Sequence, residues 1–128
     1  MKAWIAAIML ALTLWPVMAE SGWSVADYEK SKDLESTRMY ILGLAKGFEW
    51  ANADLAARHQ PVLYCEPGTL ALVPQNYIQI LEETISNEKR RNAEAEKFHI
   101  APLLLEGLQY TFPCDQPHPG KLINRNSP

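Results

Sequence analysis

Cysteine is scarce in this sequence of 128 residues, which contains only Cys65 and Cys114. Two cysteines so far apart are too few to suggest a structural zinc site. A glycine-rich phosphate loop and a His-Glu-x-x-His zinc motif are also absent from the chain. These absences predict a protein that is not an enzyme and that binds no metal and no cofactor.

A strong excess of one charge is missing as well. The 12 lysines and arginines stand against 15 aspartates and glutamates, which gives a formal net charge of −3. No basic patch with interleaved aromatic residues occurs, so nucleic acid is not an expected partner. Internal repeats and low-complexity tracts are absent too, and a chain of this length is expected to form one domain.

Long apolar runs are confined to the N-terminus, where residues 1–19 have the pattern of a signal peptide. Lys2 supplies the positive charge, Ile5–Leu14 is the apolar stretch, and Val17–Ala19 ends in a small residue suited to cleavage before Glu20. An uncleaved anchor is the alternative, but spanning a bilayer takes about 20 apolar residues. The pattern predicts an exported, soluble protein with no membrane contact after cleavage.

Export bears directly on the two cysteines, because thiols in an oxidising compartment usually pair. Each cysteine also lies near a proline, in Tyr64-Cys65-Glu66-Pro67 and in Phe112-Pro113-Cys114. We therefore predict a Cys65–Cys114 disulfide. Closing a loop of about 50 residues is worth roughly 4 kcal/mol in the chain-entropy model.

Catalytic alternatives are few. A cysteine nucleophile needs a free thiol beside a base. Three histidines could serve as that base: His59, His99 and His118. The adjacent Glu82 and Glu83 do not face one way on a helix, and Glu106 stands alone on a largely apolar one. Two carboxylates facing each other across a cleft remain an open alternative.

Three segments have the apolar periodicity of amphipathic helices. The first runs from about Ser24 to about Arg58, the second from about Leu70 to Arg90, and the third from His99–Ala101 to about Thr111. The predicted fold is all-α. It is a small bundle of three to five helices stapled by the disulfide, covering residues 20–114, with an extended or disordered tail over 115–128.

Two features of these helices have two interpretations each. Gly43, Gly47 and Ala51 recur every four residues, which favours close packing of a second helix and leaves a ligand or partner groove as the alternative. The charged segment 87–97 is typical of a solvated helix end followed by a hairpin loop. Alternatively, it is a loop that grips a partner. The candidate contact residues of that loop are Glu88, Lys89, Arg90 and Arg91.

The chain resembles the Rap/Tai family of small periplasmic immunity proteins. The similar stretches are Tyr40–Asn52 (YILGLAKGFEWAN), Tyr64–Pro67 (YCEP), a long helix with an aromatic residue at Tyr77, and Phe112–Cys114 (FPC). Together they extend over roughly residues 39–114. The family often has a proline and histidines in the turn before its third helix, where this chain has charged residues. For that reason no effector-contact residue is carried over.

The resemblance implies an all-helical fold with the Cys65–Cys114 disulfide, and some members act as homodimers. It also implies a periplasmic inhibitor that binds a cognate peptidoglycan amidase effector of type VI secretion and blocks its active-site cleft. The alternative is a small periplasmic stress or chaperone-like protein without a toxin partner. Such a protein is expected to expose apolar surface when acidified, whereas an immunity protein has no need to.

Overall fold

Four α-helices and one short 3-10 helix make up the computed structural model, which describes residues 22–68 and 70–114. In chain order they are α1 (Val25–Ser31), α2 (Glu35–Ala57), α3 (Pro74–Arg91), the 3-10 helix (Ala95–Lys97) and α4 (Ile100–Thr111). Within these ranges there is no strand beyond one isolated bridge between Ser24 and His99, so the predicted all-α fold is confirmed. The predicted signal peptide and the tail 115–128 lie outside the described residues.

The first predicted helix is in fact two helices. Ser24 starts α1 with a capping box, because its hydroxyl accepts from the Asp27 amide at 3.1 Å and the Asp27 carboxylate accepts from the Ser24 amide at 3.1 Å. Helix α1 ends at Ser31. The Ser31 carbonyl accepts hydrogen bonds from the Leu34 amide at 2.9 Å and from the Thr37 hydroxyl at 2.6 Å. These two bonds hold a turn between α1 and α2. Leu34, expected on the apolar face, lies in that turn and is 56% exposed.

Helix α2 carries the predicted apolar face. Ile41 and Ala45 are buried, and Leu44 and Phe48 are half-buried against the core. The helix ends at Ala57, close to the predicted end at about Arg58. His59 adopts a left-handed conformation with φ of 56°, which commonly ends helices, so the end of α2 does not depend on Pro61.

Helix α3 starts at Pro74, four residues later than predicted. Proline is favoured at the first helical position, where a missing amide hydrogen leaves no bond unmade. The Val73 amide donates to the Asn76 side chain at 2.9 Å and completes this start. Segment 70–73 is therefore part of the connector between α2 and α3.

The close helix–helix approach lies at Gly107 and not at the glycines of α2. A Cβ on Gly107 would lie 2.4 Å from the Thr84 hydroxyl oxygen and 2.6 Å from the Ile80 Cγ2 atom. In contrast, nothing lies within 4 Å of a Cβ built on Gly43 or Gly47. The expectation that Gly43 and Gly47 permit packing of a second helix was wrong. Spacing alone does not say which face of a helix meets another element.

The core lies where α2, α3 and α4 meet, with α1 packed beside it. Its largest fully buried side chains are Tyr77, Ile41, Leu81, Ile100, Leu104, Leu108, Val25 and Thr37. Helix α1 is tied to the start of α4 by two backbone bonds, from the Val25 amide to the Phe98 carbonyl at 2.8 Å and from the Ile100 amide to the Trp23 carbonyl at 2.9 Å.

The predicted disulfide is present and joins Cys65 to Cys114 with a Cα–Cα distance of 4.9 Å. The Cys65 amide also donates to the Phe112 carbonyl at 2.9 Å. The connector after α2 is thus fixed to the end of α4 by one covalent and one hydrogen bond. Across residues 22–68 and 70–114, no helix has the length and apolarity required to cross a membrane.

Candidate functional site

The four candidate contact residues, Glu88, Lys89, Arg90 and Arg91, form the last turn of α3 and do not lie in a loop. The prediction of a contact loop at these positions was wrong in this respect. Three basic side chains at a helix C-terminus interact favourably with the helix dipole, which favours the helical conformation there. The helix ends at Asn92, whose amide donates to the Glu88 carbonyl at 2.8 Å.

All four residues make contacts within the fold, and two of them, Glu88 and Lys89, are half-buried. The Lys89 ammonium lies 2.6 Å from the Glu29 carboxylate on α1 and 3.8 Å from that of Glu96. The hydrogen bond to Glu29 is the main reason why the pKa of Lys89 is raised. Glu88 is ion-paired with Arg91, and its side chain is only 14% exposed. Lys89 therefore helps to hold α1 against α3.

The other two, Arg90 and Arg91, line a groove between α3 and α4. The groove has a volume of about 430 Å³ and is lined by Ile80, Glu83, Thr84, Asn87, Arg90, Arg91, Glu106, Gly107, Tyr110 and Thr111. Thr84 and Gly107 are buried and Ile80 is half-buried, whereas both arginines, both glutamates and Tyr110 are exposed. We call this surface the α3–α4 groove.

Tyr110 is the most exposed large apolar side chain among the described residues, at 84%. It lies one turn before Cys114, and the disulfide restrains the backbone at this end of α4 while the tyrosine ring is exposed to solvent. Arg91 lies 4.0 Å from Glu106 across the groove. Exposed pairs of this kind contribute little to stability, so both side chains remain able to exchange partners.

The composition of the α3–α4 groove suits contact with another protein. Tyrosine and arginine are two of the three residue types most enriched among side chains that dominate binding energy. Two guanidinium groups and two carboxylates, Glu83 and Glu106, offer both donors and acceptors. The groove can therefore bind a surface that presents an apolar contact beside groups of either charge.

No protein-family model, curated protein or solved structure matches this chain. The groove is therefore interpreted from its geometry and composition alone.

The residues of the catalytic alternatives have the following contacts in the structure. Cys65 and Cys114 are bonded to each other, and no free cysteine occurs among the described residues. The His99 ring nitrogen Nδ1 lies 2.7 Å from the Gly22 carbonyl, a contact that joins the chain before α1 to the start of α4. Glu82 accepts a hydrogen bond from the Tyr28 hydroxyl at 3.1 Å. His118 lies outside the described residues.

A metal site is not formed in the part of the chain that the structure describes, where no group of three or more His, Cys, Asp or Glu side chains could hold an ion. Glu82 lies toward α1, whereas Glu83 of α3 and Glu106 of α4 both line the α3–α4 groove. The alternative of two carboxylates across a cleft therefore stays a prediction for Glu83 and Glu106.

Tyr110 and Gly107 were missed by sequence reasoning. A signal for Tyr110 existed, since it follows Glu106 by four residues and so shares a polar side of an otherwise apolar helix. For Gly107 the only signal was a glycine in the middle of a predicted helix, which costs about 1 kcal/mol relative to alanine and so indicates a packing or functional reason.

Proposed function

We propose that the protein is exported to the periplasm and acts there as an immunity-type protein that binds a peptidoglycan amidase effector of type VI secretion. The choice of an amidase as the partner rests on the resemblance to the Rap/Tai family. The α3–α4 groove supports a protein partner in general, and the exposed Tyr110 beside Arg90 and Arg91 is the observation that carries this proposal. The disulfide is compatible with an oxidising compartment.

Inhibition is steric in this proposal. The side of the bundle that carries the α3–α4 groove covers the active-site cleft of the amidase and excludes the substrate. Tyr110 inserts into the partner as an apolar anchor, and Arg90 and Arg91 bind acidic groups around it. Because the disulfide and the Cys65–Phe112 hydrogen bond hold the end of α4, little ordering is required on binding, which lowers its free-energy cost.

The test is protection of cells that express a peptidoglycan amidase effector in the periplasm, with any amidase gene found next to this one as the first candidate. Co-expression of the wild-type protein is expected to restore growth and to co-purify the amidase. Tyr110→Ala is expected to lose both effects. Trp50→Ala is the matched control, since Trp50 is also a highly exposed aromatic residue, at 76%, but lies on α2 outside the groove.

Several outcomes would contradict the proposal. Absence of protection by the wild-type protein would exclude the amidase as partner, and equal loss in Tyr110→Ala and Trp50→Ala would exclude the groove. Suppression of aggregation and dye binding that appear only on acidification, without amidase binding, would favour the stress or chaperone-like alternative.

A further inference from the structure

The α3–α4 groove has a floor whose hydroxyl groups are already bonded within the fold. The Thr84 hydroxyl donates to the Ile80 carbonyl at 2.8 Å, and the Thr111 hydroxyl donates to the Gly107 carbonyl at 2.7 Å. The half-buried Ile80 side chain adds apolar surface beside them. Because both hydroxyl hydrogens are used within the fold, the floor suits an apolar side chain better than a polar one.

The charged side chains around this floor are unequally paired. Arg91 forms an ion pair with Glu88, and Arg90 donates to two neutral side chains of its own helix. Glu106 comes no closer than 4.0 Å to Arg91, and no ion pair among the described residues includes Glu83. With the Arg91–Glu88 pair counted as neutral, two carboxylates stand against one guanidinium. The groove therefore favours a ligand that carries positive charge.

A segment of this chain with a matching pattern follows α4 closely. Residues 115–128, which lie outside the described residues, begin four residues after Thr111 of the groove. They contain the sequence KLINR at positions 121–125. Successive side chains of an extended segment point to opposite faces, so three side chains of this sequence would share one face: Lys121, Ile123 and Arg125. That face has one apolar side chain between two positive charges.

The length of the segment suits the length of the groove. Along α3 the groove runs from Ile80 to Arg91, a distance of about 17 Å at the helical rise per residue. Five extended residues span about 17 Å as well. Residues 115–120 form the connection to α4 and can extend to about 20 Å. The segment 121–125 can therefore reach the groove of its own chain and lie along it.

We propose that residues 121–125 occupy the α3–α4 groove of their own chain. Ile123 packs on the apolar floor, and the two basic side chains on the same face bind the carboxylates of Glu83 and Glu106. A short tether holds the segment at an effective concentration on the order of millimolar, so a contact with a dissociation constant of about 1 mM in trans is formed about half of the time. Any partner of the groove then has to displace the segment. The contact itself requires no amidase and stands or fails without one.

NMR of the oxidised protein alone, at several protein concentrations, tests the contact. The backbone amide signals of Thr84 and Gly107 report on the floor of the groove. Backbone nitrogen relaxation reports on the mobility of the segment on the picosecond-to-nanosecond timescale. Residues 121–125 are expected to be less mobile than the connection 115–120, at every protein concentration.

The alternation of side chains supplies a matched control. Ile123→Ala is expected to shift the signals of the groove floor and to make residues 121–125 as mobile as the connection. Leu122→Ala removes a neighbouring apolar side chain of the opposite face and is expected to change neither. On the groove side, Glu83→Gln is expected to raise the mobility of the segment, whereas Glu35→Gln on the exposed side of α2 is not. Melting temperatures confirm that each variant is folded.

The proposal is overturned if residues 121–125 are as mobile as the connection in the wild-type protein, or if Ile123→Ala and Leu122→Ala have equal effects. Shifts that grow with protein concentration would also overturn it, because they indicate that the segment of a second copy fills the groove. If an amidase binds the groove, Ile123→Ala is expected to bind it about twofold more tightly, since the groove is then free all of the time and not half of it. Failure of amidase binding leaves the relaxation result unchanged, so the two proposals are tested separately.

Discussion

Replacing each of three glycines by alanine tests the packing of the helices. Gly43 and Gly47 lie on the exposed face of α2, and Gly107 lies between α3 and α4. Alanine is better than glycine by about 1 kcal/mol in a helix interior. At Gly43 and Gly47 nothing opposes this gain, because no atom lies within 4 Å of the added Cβ. Each of these variants is expected to be more stable than wild type by about 1 kcal/mol.

At Gly107 the same gain is opposed by a collision. The added Cβ meets Thr84 Oγ1 at 2.4 Å, Ile80 Cγ2 at 2.6 Å and the Ile80 carbonyl oxygen at 3.2 Å. The backbone carbonyl cannot move unless α3 moves with it. Overpacking of this kind costs about 1–3 kcal/mol. Because the propensity gain is common to all three positions, the difference between Gly107→Ala and Gly47→Ala isolates the collision.

Urea denaturation followed by circular dichroism measures these differences, with thermal melting as a second probe. In a domain of this size, 1 kcal/mol corresponds to a shift in Tm of about 4–8 °C. The reasoning is refuted if Gly107→Ala is as stable as Gly47→Ala. Destabilisation by Gly43→Ala or Gly47→Ala that grows with protein concentration would instead indicate that this face of α2 packs against a second copy.

Three further predictions concern the Cys65–Cys114 disulfide, the half-buried carboxyl group of Glu66 and the N-terminal cap of α1. Reducing the Cys65–Cys114 disulfide is expected to lower the free energy of unfolding by roughly 4 kcal/mol, and an unchanged Tm in reductant would contradict it. Glu66→Gln is expected to be more stable than wild type at neutral pH. The difference in free energy of unfolding between this variant and wild type should shrink as the pH falls through the raised pKa of Glu66 toward 4.5, because the folded state then binds the proton more readily than the unfolded state. A difference that does not change with pH would show that the Glu66 carboxylate is not destabilised in the fold. Ser24→Ala removes the capping box of α1 and is expected to cost about 1 kcal/mol in urea denaturation, whereas Ser36→Ala on the exposed side of α2 should be near neutral.

Local patterns predicted much of this fold. The apolar stripes of α2, α3 and α4 follow helical periodicity, and Ile41, Leu81 and Leu104 are buried as that periodicity requires. The disulfide followed from the signal-peptide pattern and the absence of other cysteines. The helices depend on residues close in sequence, and the disulfide was expected from the oxidising compartment that the signal-peptide pattern predicts.

Features that depend on tertiary contacts were not predictable. The break between α1 and α2 needs the Thr37 hydroxyl to reach the Ser31 carbonyl, and periodicity carries no signal of that bond. The glycines of α2 and Gly107 look alike in sequence, and only the arrangement of α3 and α4 distinguishes them. The α3–α4 groove combines two predicted residues, Arg90 and Arg91, with Tyr110 from another helix.

The most direct test of the central claim is an inhibition titration with purified components. A peptidoglycan amidase effector of type VI secretion, sought first among the genes that flank this one, is mixed with increasing amounts of the oxidised protein, and hydrolysis of peptidoglycan is measured. We expect activity to fall to zero near equal molar amounts. Tyr110→Ala is expected to raise the dissociation constant about thirtyfold, as for a residue worth about 2 kcal/mol. Full hydrolysis in the presence of excess wild-type protein would contradict the account.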